Sequence, residues 1–146
     1  MILGIKITPL KQIKDERGKI MHMMRSDSSY FESFGEIYFS TVNFKYIKAW
    51  HLHNINTLNY VCIRGKVKLV LFDSRQNSKT LNQFQEIIMH PENYFLVTIP
   101  PGIWNGFLGM SEPDAIIANL LDKPHNESEM IRLPYNDDKF KYDWKT

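Results

Sequence analysis

The sequence predicts an all-β domain, and three observations carry that expectation. Short runs rich in β-branched and aromatic residues recur along the 146 residues, turn signals separate them, and no stretch of helical period is long enough to compete. In chain order the predicted strands are residues 5–8, 19–23, 36–40, 44–53, 58–63, 66–72, 84–89, 94–99 and 115–121. Arg17-Gly18, Arg64-Gly65, Pro100-Pro101-Gly102 and Glu112-Pro113 punctuate them, because glycine supplies unusual backbone angles and proline withdraws a ladder donor. Within residues 66–72 the alternation of apolar and polar side chains is only partial, which suits a strand covered on one side by a second sheet. Short strands in this number fit a jelly-roll barrel or sandwich. From Asp122 onward the chain is polar and broken by Pro124 and Pro134, carries Asp137 and Asp138, and ends in aromatic Tyr142 and Trp144. Such a segment cannot build a core of its own. A mostly irregular C-terminal tail is therefore expected to fold back across the mouth of the barrel, which makes its carboxylates candidates for a site.

Composition narrows the function classes. With 43% hydrophobic and 23% charged residues, 1–146 reads as a single globular domain. The 18 basic residues balance 16 acidic ones and are scattered, so the basic stripe that nucleic acid requires is missing. No apolar run approaches the roughly 18 residues of a membrane span, and Met1-Ile-Leu-Gly-Ile-Lys6 carries neither a basic leader nor a cleavage-like site. A soluble, cytoplasmic protein is expected. The single cysteine, Cys62, sits among apolar neighbours, where a small buried hydrophobe is the ordinary role; an internal disulfide is excluded.

Lys48-Ala-Trp-His-Leu-His53 is the stretch richest in chemistry. In an extended chain, side chains two apart share a face, so His51 and His53 point together into either the core or a pocket. Two buried, hydrogen-bonded histidines are one reading, and a reactive pair is the other.

Several motifs in order then carry a family likeness: Asp15-Glu-Arg-Gly18, Lys48-Ala-Trp-His51, Arg64-Gly65, Asp73-Ser-Arg75 with Ser78 and Thr80, Ile99-Pro-Pro-Gly-Ile-Trp-Asn-Gly-Phe107, and Leu133-Pro-Tyr-Asn-Asp137. Together they resemble the dTDP-4-dehydrorhamnose 3,5-epimerase family, cupin-type jelly rolls that act on nucleotide-linked 4-keto-6-deoxy sugars, with this chain a short, divergent member. The resemblance implies epimerisation next to the ketone through an enolate, in the making of deoxysugars for surface polysaccharides. It also implies no cofactor, a nucleotide-diphosphate sugar as the binding partner, and a homodimer paired through sheet edges. His51 matches the family's catalytic histidine, and Asp137 matches the aspartate that orients it. Lys48 stands where the family places an arginine on the diphosphate, keeping the charge without the bidentate fork. Arg17, Arg75, His53, Asn105 and Lys123 are the other candidate substrate-binding residues, with a turn or surface salt bridge the competing role for either arginine.

The chain also departs from that pattern. The family's lysine aligns with Leu58, its acid tyrosine falls at Asp122-Lys-Pro-His125, and a pocket histidine becomes Asn105. Tyr60, two residues from Leu58 and so on the same strand face, is the candidate replacement acid, with Lys123 and His125 as further options. An ordinary core role competes for Tyr60. Trp50 and Trp104 are read as packing residues rather than base-stacking ones. Two other functions stay open. His51 and His53 could begin a metal-dependent cupin site, although Asn56-Thr-Leu-Asn59 and Asn105 occupy the positions of the other ligands. A non-catalytic sugar-nucleotide binding module is the remaining reading, motivated by Leu58 and the absent tyrosine.

Overall fold

The β-branched runs assemble into two antiparallel sheets that bury their facing sides against each other. The computed structural model describes residues 1–145. Its strands are β1 (Lys6–Pro9), β2 (Gln12–Asp15), β3 (Gly18–Met21), β4 (Glu36–Asn43), β5 (Ile47–His53), β6 (Leu58–Arg64), β7 (Val67–Asp73), β8 (Phe84–Met89), β9 (Phe95–Ile99), β10 (Ile103–Gly109), β11 (Asp114–Leu121) and β12 (Met130–Arg132). The first five-stranded sheet runs β1-β9-β6-β11-β4, the second runs β12-β5-β10-β7-β8, and β2–β3 is a separate hairpin. This is the expected all-β jelly roll of cupin type.

Alternation along each strand sorts the side chains into layers. Leu58, Cys62, Leu69, Leu71, Val97, Ile99, Ile103, Phe107, Ile117 and Leu121 fill the space between the sheets. On the outer side of the second sheet, Trp50, Leu52, Val70, Phe72 and Trp104 meet Phe140 and Trp144 of the tail. The outer side of the first sheet is covered by the N-terminal segment, with Leu10, Met21, Met24 and Tyr30 against Val61, Leu96 and Ala118. All seven residues of β7 are buried. The partial alternation in residues 66–72 therefore reflects cover on both faces, not on one.

The tail departs from the sequence expectation for a related reason. Its aromatics dock on the outer aromatic face of the second sheet and not across the barrel mouth, because that face is where apolar area remains to be buried. Phe140 stacks on Trp50 with ring centroids 4.4 Å apart. The indoles of Trp50 and Trp144 both donate to the Tyr135 carbonyl at 3.2 Å. Trp50 and Trp104 are thus packing residues, as read.

Other corrections concern turns and short strands. The run 44–53 is not one strand, since Phe44 and Lys45 lie in the turn from β4 to β5, where Lys45 takes φ 65°. Its β-favouring composition hides that turn. β2, β10 and β12 were not anticipated. β10 contains Asn105, Gly106 and Gly109, types depleted from strands. Gly106 is required by packing, because a Cβ there would lie 2.3 Å from the Ala49 Cβ. β12 has three residues and owes its extended form to pairing with β5 alone. Gly65, at φ 75°, turns β6 into β7 where a Cβ would meet the Asp114 carbonyl oxygen at 2.6 Å.

Truncating Phe140 to alanine should lower unfolding stability by about 3–5 kcal/mol, the usual range for a buried aromatic, because it opens the seam between tail and second sheet. Chemical denaturation of Phe140→Ala against the parent checks this, and a change below about 1 kcal/mol would show that the tail is not held by this seam.

Candidate active site

Strand register brings two polar rows face to face inside the apolar sandwich. On the second sheet β5 lies between β12 and β10, and His51 pairs with Arg132 on one side and Asn105 on the other. On the first sheet β11 lies between β4 and β6, and Asn119 pairs with Tyr38 and Tyr60. Directly opposite residues of antiparallel strands share a face, so each trio stands abreast. Between the rows lies a cavity of about 400 Å³, lined by Tyr38, Ser40, Lys48, His51, Tyr60 and Arg132 together with apolar Phe107 and Ile117. It opens where the β4 edge of one sheet faces the β12 edge of the other. A cleft of about 460 Å³ near Phe44, Leu108 and Trp144 has only Lys45 and Lys145 for charge. It offers no acid–base pair.

Hydrogen bonds fix the rows. The Asn105 amide donates from Nδ2 to the His51 carbonyl at 3.1 Å and accepts at Oδ1 from the Tyr60 hydroxyl at 3.0 Å. That chain ties the two sheets through their interior. In the first sheet, Asn119 Oδ1 accepts from the Asn59 backbone N–H at 3.2 Å while its Nδ2 donates to the Tyr38 hydroxyl at 2.9 Å. His53, buried on the same strand as His51, has its Nδ1 2.5 Å from Glu129 Oε1, and Glu129 Oε2 accepts from the backbone N–H groups of Asn54 and Ile55. Burial opposes ionisation of Glu129, but these hydrogen bonds outweigh it and hold the carboxyl below the ordinary glutamate range.

A register shift in β5 completes the site. Asn105 pairs with His51 but Phe107 pairs with Lys48, so one extra residue of β5 bulges at Ala49–Trp50. Lys48 and His51, three apart, then reach the same cavity. The Lys48 ammonium donates to Ser40 Oγ at 2.6 Å and to the Thr41 carbonyl at 3.2 Å, crossing from the second sheet to the first. Gly106, on the strand opposite, makes room for the bulge.

His51 is half-buried at this cavity, and among the described residues no side chain hydrogen-bonds its ring. Burial, helped by the positive charge of His53, Arg132 and Lys48, pushes its pKa down to about 4. It is therefore neutral at cellular pH and free to accept a proton. Burial drives the Tyr60 phenol well above its ordinary value and raises that of Tyr38, so both stay protonated. Cys62 is buried, donates to the carbonyls of Arg64 and Gly65, and is pushed up to about 11, which fits its reading as an inert core thiol.

Of the residues singled out in the sequence, the fold gathers His51, Tyr60 and Lys48 at the cavity, buries Asn105 between Tyr60 and the His51 backbone, and ties His53, on the same strand, to Glu129. The rest lie elsewhere. Asp137 caps its own turn by accepting from the Lys139 backbone N–H at 2.9 Å. Arg17 pairs with Asp15 at the tip of the β2–β3 hairpin with its side chain 82% exposed. Arg75 is spent on Asp73, a fully buried carboxylate that also accepts from Ser78 and Thr80 and so knots the loop after β7. Lys123 pairs with Asp122, and His125 with Glu127. Leu58 belongs to the core between the sheets. Among the described residues no cluster of three or more His, Cys, Asp or Glu could hold a metal ion.

Tyr38, Asn119, Arg132 and Glu129 were not foreseen. Asn119 left a usable signal, a lone amide inside the apolar run 115–121. Tyr38 left the same period as Ser40 and Val42 on a strand that was recognised. Arg132 and Glu129 left none, because their position depends on β12 pairing with β5.

Comparisons with known proteins identify the family and the fold. The family model for dTDP-4-dehydrorhamnose 3,5-epimerase matches residues 1–146. The chain is 28% identical over 148 residues to a spore coat polysaccharide biosynthesis protein of Bacillus subtilis, covering 100% of this chain and 98% of that protein. It is 30% identical over 149 residues to the "Probable low-salt glycan biosynthesis epimerase" of Haloferax volcanii, covering 98% and 94% respectively. The crystal structure of a dTDP sugar isomerase from Desulfovibrio desulfuricans matches with a TM-score of 0.95 at 36% identity, over 98% of this chain and 92% of that one.

The depressed basicity of His51 has a definite pH signature. As pH falls from about 6.5, the ordinary histidine value, toward about 4, the unfolded chain takes up a proton that the folded chain refuses, so His51 withdraws stability across that window. An NMR titration of the ligand-free protein should find the His51 ring neutral down to about pH 4, and a midpoint at or above 6.5 would refute the electrostatic picture.

Proposed function

The chain belongs to the dTDP-4-dehydrorhamnose 3,5-epimerase family, and from that premise we propose that it inverts a carbon next to the ketone of a nucleotide-linked 4-keto-6-deoxy sugar. The observation that carries this is a neutral imidazole, His51, facing a phenol-bearing row across a cavity edged with cations. The sugar lies between the rows. A ring nitrogen of His51 takes the hydrogen from the carbon beside the ketone, and the bonding pair moves into the carbonyl to give an enolate. A proton delivered to the opposite side of that carbon restores the ketone with inverted configuration.

Lys48 and Arg132, the latter held at the surface by an exposed pair with Glu127, stand at the cavity and supply positive charge for the diphosphate and the developing enolate, the work for which Leu58 offers nothing. The same two cations help depress His51 in the empty site. A bound diphosphate offsets their charge and so raises the basicity of His51 when substrate is present. Asn105 anchors the His51 backbone, and the ring stays free to meet the substrate.

The nucleotide is proposed to be thymidine-based, by likeness to the dTDP sugar isomerase, and the product to feed a surface glycan, by likeness to the two glycan-biosynthesis relatives. A cytoplasmic, homodimeric enzyme fits such a role. The edge of β4 supports the dimer, since it carries exposed Ile37 and Phe39 beside an unpaired strand edge. Light scattering should give twice the 17.3 kDa chain mass, and a monomer at micromolar concentration would refute the pairing. A second reading, a non-catalytic sugar-nucleotide binder, is favoured only by Leu58 and by Asp137 being turned to its own backbone.

Incubation with a dTDP-linked 4-keto-6-deoxy sugar in deuterated water separates the readings. The parent protein should place solvent deuterium at C3, C5 or both, and His51→Ala should lose about 10²–10⁴-fold of that exchange while still binding dTDP by thermal shift. Unchanged exchange in His51→Ala sinks the base assignment, and binding without exchange by the parent establishes the binder.

A further inference from the structure

Epimerisation needs a second group that delivers a proton on the side away from the base, and both Tyr38 and Tyr60 line the cavity on the wall opposite His51. Their hydrogen bonds run in opposite senses, and backbone groups decide which. The His51 carbonyl can only accept, so the Asn105 amide must turn its NH₂ toward it and its Oδ1 toward Tyr60. Tyr60 is then obliged to donate, and its proton is committed to Asn105. The Asn59 backbone N–H can only donate, so the Asn119 amide must turn its Oδ1 toward it and its NH₂ toward Tyr38. Tyr38 is then obliged to accept, and its own proton is left to point elsewhere.

Location separates the two phenols in the same direction. Tyr60 is 3% exposed and packs edge-on against Phe107 at 5.0 Å, whereas Tyr38 is 40% exposed at the open side of the cavity. Resting on the reading of the protein as an epimerase, we infer that Tyr38 is the catalytic acid, donating its phenolic proton to the enolate carbon on the side opposite His51. The O–H bond of Tyr38 breaks as the C=C pair of the enolate takes the proton to form the new C–H bond, the oxyanion pair re-forms the carbonyl, and the phenolate is held by the Asn119 NH₂ with Arg132 nearby. His51 then gives the proton it removed to solvent, and the Tyr38 phenolate takes one from solvent, which restores the starting state. Base and acid thus come from different sheets, and Tyr60 acts as the strut that holds Asn105 and the His51 backbone.

The assignment is tested by separating exchange from inversion in deuterated water with a dTDP-linked 4-keto-6-deoxy sugar. Tyr38→Phe should lose inverted product by at least about 10²-fold, the lower range for a missing general acid or base. It should keep His51-dependent exchange, with configuration retained, within about tenfold of the parent. Persisting exchange also shows that the variant is folded and its base intact. Tyr60→Phe should show exchange and inversion falling together or not at all, because it disturbs the His51 support without removing the acid. Inversion by Tyr38→Phe at the parent rate, or loss of inversion with retained exchange in Tyr60→Phe, overturns the assignment. Loss of both activities in a Tyr38→Phe protein that melts like the parent overturns it too. Absence of exchange in the parent protein instead refutes the epimerase reading, and this inference falls with it.

Discussion

A strip of polar side chains buried inside an apolar sandwich is the constraint on which the rest of this molecule turns. Each buried donor or acceptor left without a partner would cost about 1–3 kcal/mol, so the strip is tolerable only when its members satisfy one another. The chain from the Tyr60 hydroxyl through the Asn105 amide to the His51 carbonyl does this across the interior. Asn119 does it within the first sheet, between the Asn59 backbone and Tyr38. Both depend on strand register. A slip of one residue in β5 or β11 would send the polar row to the outside and bring apolar neighbours into the cavity.

The outer layers serve that register. The second sheet presents Trp50, Phe72 and Trp104 outward, and the tail covers them with Phe140 and Trp144. This cover is what allows Lys68 to be buried, with its ammonium 3.7 Å from Glu86 and 5.5 Å from the centre of the Tyr142 ring, while Tyr142 itself hydrogen-bonds Glu86. The tail is continuous with β12, which brings Arg132 alongside His51, and with the 3₁₀ turn Glu127–Glu129, whose last residue grips His53. Anchoring aromatics on one face of the sheet thereby places charge on the other. Packing energy spent far from the cavity becomes electrostatic order within it.

That order gives the site its chemical character. Burial, helped by the cations at the cavity edge, keeps the His51 ring neutral, and the phenols opposite stay protonated because burial disfavours their anions. A neutral imidazole facing protonated phenols across a cavity of about 400 Å³ is the starting state that the proposed epimerisation requires, one proton leaving a carbon and another reaching its far side. Among the described residues no carboxylate hydrogen-bonds the His51 ring. Asp137 and Arg75 serve their own loops instead, the first as a turn cap and the second as one of the donors that hold buried Asp73 below the usual carboxylate range.

By itself the sequence determined the fold class, most of the strands and the neighbourhood of the site, because period-two patterning and turn residues act locally, His51, Lys48 and Asn105 sit in recognisable motifs even where the residue type has changed, and Tyr60 shares a strand face with Leu58. It also showed where the chain departs from its family, at Leu58 and after β11. Tertiary structure alone decided which other groups face His51. Tyr38 and Arg132 come to His51 from β4 and β12, segments distant in the chain whose approach depends on cross-strand pairing and leaves no local trace. Likewise Lys48 shares a face with His51 only because β5 bulges, and β10 is a strand despite Gly106 because the facing Ala49 leaves no room for a side chain. The direction of each tyrosine's hydrogen bond was the least legible feature. It is dictated by backbone groups on neighbouring strands, and those become neighbours only when the sheets have formed.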